Sequence, residues 1–219
     1  MKIKVCGMKF AENIAEITNL HPDYMGFILW EKSPRFFDGE ISSLPKTLNK
    51  VGVFVDAPVR EIVEKVRAMS LDYVQLHGAE TPEFCSQLKQ ALSTINELKD
   101  SVRKSVGIIK AIGVGDSFPF EKLKPYEEVV EYFLFDTKGP LPGGNGYAFN
   151  WELLNSYTLQ TPFFLSGGIG LNDLEKLKKF LDSPLASKCH AVDVNSAFEI
   201  EPGLKKKEAL DAFTKKLKQ

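Results

Sequence analysis

The chain of 219 residues lacks most of the features that mark a specialised class. Its three cysteines, Cys6, Cys85 and Cys189, are widely separated and form no Cys-x-x-Cys pair. That spacing excludes a disulfide framework, supplies no zinc or dithiol motif, and suits a reducing cytoplasm. Neither sign of charge dominates, with 28 Lys+Arg against 29 Asp+Glu and a formal net charge of -1. Without a basic excess there is no general reason to expect nucleic acid, and any bound phosphate should be small and locally held. Long apolar runs are missing too. The most apolar stretch, Tyr24 to Trp30, falls far short of the ~20 residues that a membrane helix needs, and the amino end turns polar at once. The sequence predicts neither a membrane span nor a signal peptide. Finally, no Pro/Gly/Ser-rich linker breaks the chain, which reads as one domain over residues 1–219.

What is present is an ordinary apolar content of 43% arranged in short β-rich runs. They are Ile3–Cys6, Tyr24–Leu29, Val51–Val55, Tyr73–Leu76, Gly107–Ile112, Tyr132–Phe135, Phe163–Ser166 and Ala191–Val194. Helical patterns lie between several of them. Val59, Ile62, Val63, Val66 and Met69 follow Asp56 and Pro58; Phe84, Leu88 and Leu92 follow Thr81 as N-cap and Pro82 in the first turn. A later helix starts at Asn172 with Leu174, Leu177, Phe180 and Leu181, and the tail repeats the spacing at Leu210, Phe213 and Leu217. Pro45 and Pro125 fall where the second and fifth helices are expected, so those helices should be short, displaced or kinked. Eight alternating strand-helix units in this length predict a (β/α)₈ TIM barrel, class α/β. An open dinucleotide-binding sheet is disfavoured because no Gly-x-Gly-x-x-Gly turn follows an early strand, and no Gly-x-x-x-x-Gly-Lys phosphate loop occurs.

Side chains in a barrel strand alternate between the interior and the helix layer. On that parity Lys4 and Cys6 face inward from the first strand, and Asp193 and Asn195 from the eighth. A buried lysine, Lys4 or Lys110, must be paired, with Asp193 or Asp56 as candidate partners. The strand ends are chemically loaded: Cys6-Gly7, Asp56, His77-Gly78, Asp136, Ser166-Gly167-Gly168 and Asn195-Ser196. Barrel enzymes build their sites on that face, and a glycine-rich turn after strand 7 offers backbone N–H groups to a phosphate. By default His77 reads as a hydrogen-bonded structural residue, Asp56 as helix cap or ligand contact, and Cys85 and Cys189 as core.

Eight motifs occur in register. They are Lys4-Val5-Cys6-Gly7-Met8, Gly26-Phe27-Ile28 with Ser33-Pro34-Arg35, Val51-Gly52-Val53-Phe54-Val55, Val74-Gln75-Leu76-His77-Gly78, Leu134-Phe135-Asp136-Thr137-Lys138, Gly143-Gly144-Asn145-Gly146, Leu165-Ser166-Gly167-Gly168 and Ala191-Val192-Asp193-Val194. Over nearly its whole length the chain resembles the phosphoribosylanthranilate isomerases. The resemblance implies an Amadori rearrangement in tryptophan biosynthesis, turning N-(5′-phosphoribosyl)anthranilate into 1-(2-carboxyphenylamino)-1-deoxyribulose 5-phosphate. It implies no metal and no organic cofactor, a small-molecule substrate, a cytoplasmic location, and a monomer or homodimer.

By the same resemblance Cys6 is the base and Asp136 the acid, Arg35 receives the anthranilate carboxylate, and Gly167, Gly168, Asn195, Ser196 and Ala197 hold the phosphate, with Asp193 beside them. Ala197 stands where the family often has glycine, and Asn145 where it often has Ser or Thr; the Gly143–Gly146 loop is expected to form a lid. These roles require a setting that favours the Cys6 thiolate and one that keeps a proton on Asp136. Related readings are a histidine-pathway isomerase, which wants aspartate at position 6, an indole-glycerol-phosphate synthase, which wants a different Lys/Glu set, and a non-catalytic binder, which would lack the acid or base.

Overall fold

A computed structural model describes residues 1–41, 44–97, 105–138 and 149–218. Eight parallel strands close into a barrel in sequence order: β1 (Lys2–Val5), β2 (Tyr24–Ile28), β3 (Asn49–Phe54), β4 (Tyr73–Leu76), β5 (Gly107–Val114), β6 (Tyr132–Thr137), β7 (Phe163–Leu165) and β8 (Cys189–Val194). Closure is made by β1 against β8, with Lys4 opposite Asp193. This is the (β/α)₈ architecture that the strand-helix alternation predicts.

Parallel strands are covered on both faces, so they read as continuous apolar runs. β6 shows how parity still sorts them. Tyr132 and Leu134 join Tyr24, Val51, Tyr73, Ile109, Ala111, Phe164 and Ala191 inside the barrel. Phe133 and Phe135 instead enter the outer core, between sheet and helices. The helices α1 (Ala11–Thr18), α2 (Val59–Met69), α3 (Pro82–Glu97), α4 (Leu174–Leu181) and α5 (Lys207–Lys218) present apolar stripes to that outer core. Ile62 and Val66 do so from α2, and Leu210, Phe213 and Leu217 from α5. Thr81 starts α3 as expected, its hydroxyl accepting from Phe84 N at 3.3 Å.

Several connections depart from the sequence expectation. No helix occurs among the described residues between β2 and β3; Phe37, Ile41 and Leu48 are buried there from irregular backbone. After β5 the helix is short, as Pro125 predicts: it is a 3₁₀ helix, Phe120–Tyr126, with Pro125 inside it, and Trp151–Ser156 is also 3₁₀. Asn172 lies in a short 3₁₀ turn, Leu171–Asp173, so α4 itself begins two residues later. Asp56 does not cap α2, whose N-cap is Pro58; its carboxylate accepts from Ala79 N at 2.7 Å. Two extra strands, β9 (Glu199–Glu201) and β10 (Leu204–Lys205), form an unexpected antiparallel hairpin before α5. The Gly143–Gly146 loop and residues 98–104, most of the polar connection from Ser93 to Ser105 that the sequence reads as longer than usual, lie outside the described residues.

Candidate active site

The inward-facing residues change character toward the C-terminal ends of the strands. Along β4 they run Tyr73, Gln75, His77; along β6, Tyr132, Leu134, Asp136; along β8, Ala191, Asp193, Asn195. These upper residues line one open cavity of about 660 Å³, its solvent-filled mouth included. Cys6, Asp136, Arg35, Asp193, Asn195, Ser196 and Gly168 all border it. Among the candidates from the sequence, Gly167 and Ala197 are not on its wall. Gly167, at φ +96°, sits behind Asp136, where an added Cβ would lie 2.4 Å from Thr137 Oγ1. Ala197 packs against Gly170, whose added Cβ would come within 3.1 Å of the alanine methyl.

Cys6 is almost fully buried at the end of β1. Room for its sulfur depends on β2: a Cβ on Gly26 would lie 2.7 Å from Cys6 Sγ. Below it the fully buried Lys4 donates to Asp193 Oδ1 at 2.8 Å, and Ser166 Oγ donates to the other carboxylate oxygen at 3.1 Å. Burial pushes the Cys6 thiol up, against the downward pull of the Lys4 ammonium, which contacts it, and of Lys205. The expected pocket favouring the thiolate is thus only half present: the cations are in place, and the loss of water outweighs them. Burial also acts against the Lys4 charge, but Asp193 and Cys6 more than compensate and hold Lys4 above the usual lysine range.

Asp136 is 7% exposed at the end of β6. Its Oδ1 accepts from Thr137 N at 2.8 Å, and its Oδ2 lies 3.5 Å from His77 Nε2. Gln75 Nε2 stands 2.9 Å from His77 Nδ1. With the amide donating to Nδ1, the neutral ring carries its proton on Nε2, the nitrogen that faces Asp136. His77 is therefore part of the site wall as well as a hydrogen-bonded residue. The spacing Gln75-x-His77 carried that signal, since alternate strand residues share a face.

Arg35, after β2, reaches over the base. Its Nε donates to Glu199 Oε1 at 2.9 Å and its Nη2 to Oε2 at 2.7 Å. Glu199 and Lys205 come from the hairpin after β8 and had no signal in sequence. Trp30, Ile28, Val53 and Val55 supply the apolar part of the cavity wall. Lys110 lies outside this site: it faces the helix layer and pairs with Glu80 Oε2 at 2.9 Å, not with Asp56 or Asp193. Among the described residues no cluster of His, Cys, Asp and Glu could hold a metal ion.

The cavity thus offers a thiol beside two ammonium groups, a carboxyl group on a facing strand, a guanidinium, and a polar wall at Gly168, Asn195 and Ser196. That set suits proton transfer on a small anionic substrate. A family model described as N-(5′-phosphoribosyl)anthranilate (PRA) isomerase matches residues 3–101 and 92–216. The N-(5′-phosphoribosyl)anthranilate isomerase of Parabacteroides distasonis is 39% identical over 99% of this chain and 93% of its own length. Among solved structures, the phosphoribosyl anthranilate isomerase of Thermus thermophilus has a TM-score of 0.78 at 27% identity, covering 100% of this chain and 98% of that one. A phosphoribosyl anthranilate isomerase in complex with reduced 1-(o-carboxyphenylamino)-1-deoxyribulose 5-phosphate has a TM-score of 0.76 at 27% identity with the same coverage.

Proposed function

From the premise that the chain belongs to the N-(5′-phosphoribosyl)anthranilate isomerase family, an aldose-ketose isomerase of tryptophan biosynthesis, we propose that Cys6 and Asp136 perform its proton transfers. Asp136 gives a proton to the furanose ring oxygen, and the C1′–O bond breaks to leave an iminium at C1′. The iminium acidifies C2′–H, and the Cys6 thiolate removes that proton to form an enolamine, which tautomerises to the ketone. The observation that carries this reading is the opening of Cys6, from β1, and Asp136, from β6, into one cavity. Two groups facing a single substrate from separate strands can act on the ring oxygen and on C2′ in turn.

The Lys4 ammonium, in contact with the thiol, supports the thiolate against burial. Arg35 receives the anthranilate carboxylate through a fork of N–H donors, with Trp30 and Ile28 beside the aromatic ring. The phosphate lies at the other end of the substrate, over Gly168, Asn195 and Ser196, with Gly167 and Ala197 shaping the two turns. Asp193 holds Lys4 in place rather than meeting substrate as an isolated charge. Three free, buried cysteines fit a cytoplasmic location, and no helix among the described residues is long and apolar enough to cross a membrane.

Turnover of freshly made phosphoribosylanthranilate, followed by loss of anthranilate fluorescence with a chelator present, tests the reading. Folded protein that leaves the substrate unchanged would refute it.

A further inference from the structure

The hairpin β9–β10 places a carboxylate where no motif predicts one. Glu199 receives Arg35 through Nε and Nη2, Lys205 Nζ at 2.6 Å, and Gly203 N at 3.0 Å. Lys205 spans from there to Asn195 Oδ1, also at 2.6 Å. The assembly sits directly over the base. Gly7 follows Cys6 with φ +72°, and a Cβ on it would lie 2.9 Å from Arg35 Cδ and 2.7 Å from Asn195 Oδ1. One carboxylate therefore ties the loop after β2 to the loop after β8 across the strand that carries Cys6.

The hydrogen-bond pattern divides the guanidinium in two. Its side-on edge, Nε and Nη2, is taken by Glu199, while Nη1 and the second N–H of Nη2 carry no bond to a described residue. A planar guanidinium can bind one carboxylate on each of two edges, which an ammonium cannot do. A free arginine side chain would lose rotamer freedom on meeting its ligand; one already held at one edge loses less. We propose that Glu199 is a positioning residue, which grips the side-on edge of Arg35 so that the end-on fork is presented to the carboxylate of the substrate. Two cations on one carboxylate also leave this wall with a surplus positive charge, suited to an anion rather than a neutral ring.

The inference rests on the reading of Arg35 as the carboxylate receptor, and the test separates the two. The probes are reduced 1-(o-carboxyphenylamino)-1-deoxyribulose 5-phosphate and the same compound without its ring carboxyl group, titrated calorimetrically into the intact protein. The readout is the ratio of their dissociation constants. The carboxylated compound should bind about 100-fold more tightly to the parent protein, a preference that Arg35→Ala abolishes. Glu199→Gln should reduce that ratio about tenfold, change the affinity of the carboxyl-free compound less than about twofold, and add nothing in the Arg35→Ala background. An unchanged ratio in Arg35→Ala overturns the receptor reading and this inference with it. If Arg35→Ala abolishes the ratio and Glu199→Gln leaves it intact, or weakens both compounds equally, the positioning role alone is refuted. Should Glu199→Gln fail to fold, Arg35→Lys replaces it: the ratio should fall nearly as far as in Arg35→Ala, and a retained ratio overturns the two-edge division.

Discussion

The two ends of the barrel are built from the same eight strands with the same inward parity, yet they hold opposite chemistry. At the floor, Tyr24, Tyr73, Tyr132 and Phe164 pack edge to face or, for Tyr73 on Tyr132, tilted, with ring centroids 5.1–6.0 Å apart. Tyr24 OH and His190 Nε2 meet there at 2.7 Å. Two residues further along each of these strands the rings give way to Gly26, Gln75, Leu134 and Ser166, and after two more to Ile28, His77, Asp136 and Gly168 on the cavity wall. The floor buries rings whose hydroxyls are pushed up by loss of water, Tyr24 and Tyr73 well above the ordinary tyrosine range. The mouth instead buries charges in matched sets. Stability and chemistry are thus separated by about four residues of strand, and a thiol at either end shows the consequence. Cys189, at the floor end of β8, is pushed up to about 12 by burial, against only weaker pulls from backbone groups and the amino-terminal ammonium. Cys6 is pushed up by burial too, but with Lys4 and Lys205 drawing it back.

The sharpest way to break this contrast is at the proton-transfer groups. Cys6→Ser and Asp136→Asn should each lower kcat by about 10²–10⁴-fold in a protein that still melts cooperatively. Near-normal turnover in either variant would remove that residue from the chemistry. Lys4→Met comes next, since it leaves Asp193 buried without its cation. A loss of about 3–5 kcal/mol in urea unfolding is expected. Because the base acts as thiolate, kcat/KM rises with pH through the Cys6 titration, and losing the ammonium should move that rise to higher pH. A pH profile that does not move would show that Lys4 serves stability only.

Smaller effects come from the thiols as a group. A thiol whose folded pKa lies above its unfolded value stabilises the fold fully below the unfolded value, near 9, and the benefit is lost as pH rises toward the folded value. Stability should therefore fall between pH 9 and 11, at about 1.4 kcal/mol per pH unit for each such thiol. Cys189→Ala should flatten the slope, and an unaltered slope would place the effect elsewhere. At the floor, Tyr24→Phe should cost about 1 kcal/mol through the lost contact with His190 and leave kcat/KM unchanged. A kinetic defect there would mean that the two ends are not separate.

The strand-helix alternation and the inward set of Lys4, Cys6, Asp193 and Asn195 were legible because both are local periodicities. The helix expected between β2 and β3 was not, because apolar residues such as Phe37 and Leu48 can be buried by loop backbone that carries no period. His77 was legible as a strand-end residue and by its register with Gln75, although by default it read as structural. The setting of Cys6 required the fold, since burial is a property of everything packed around the sulfur.

The amino-acid sequence by itself determined the eight units, which side of each strand faces inward, and the motifs shared with the family. Lys4 and Asp193 could be foreseen as a pair, but the tertiary structure decided which of the other charges meet. Lys110 and Asp56 looked like possible partners, but parity sends Lys110 to the helix layer, where Glu80 awaits it. Arg35 and Glu199 are 164 residues apart and share no pattern, and they touch only because barrel closure sets β8 and its hairpin beside β1 and the loop after β2. Periodicity is written along the chain, whereas the choice of an ion-pair partner depends on distance in space, which closure of the barrel creates.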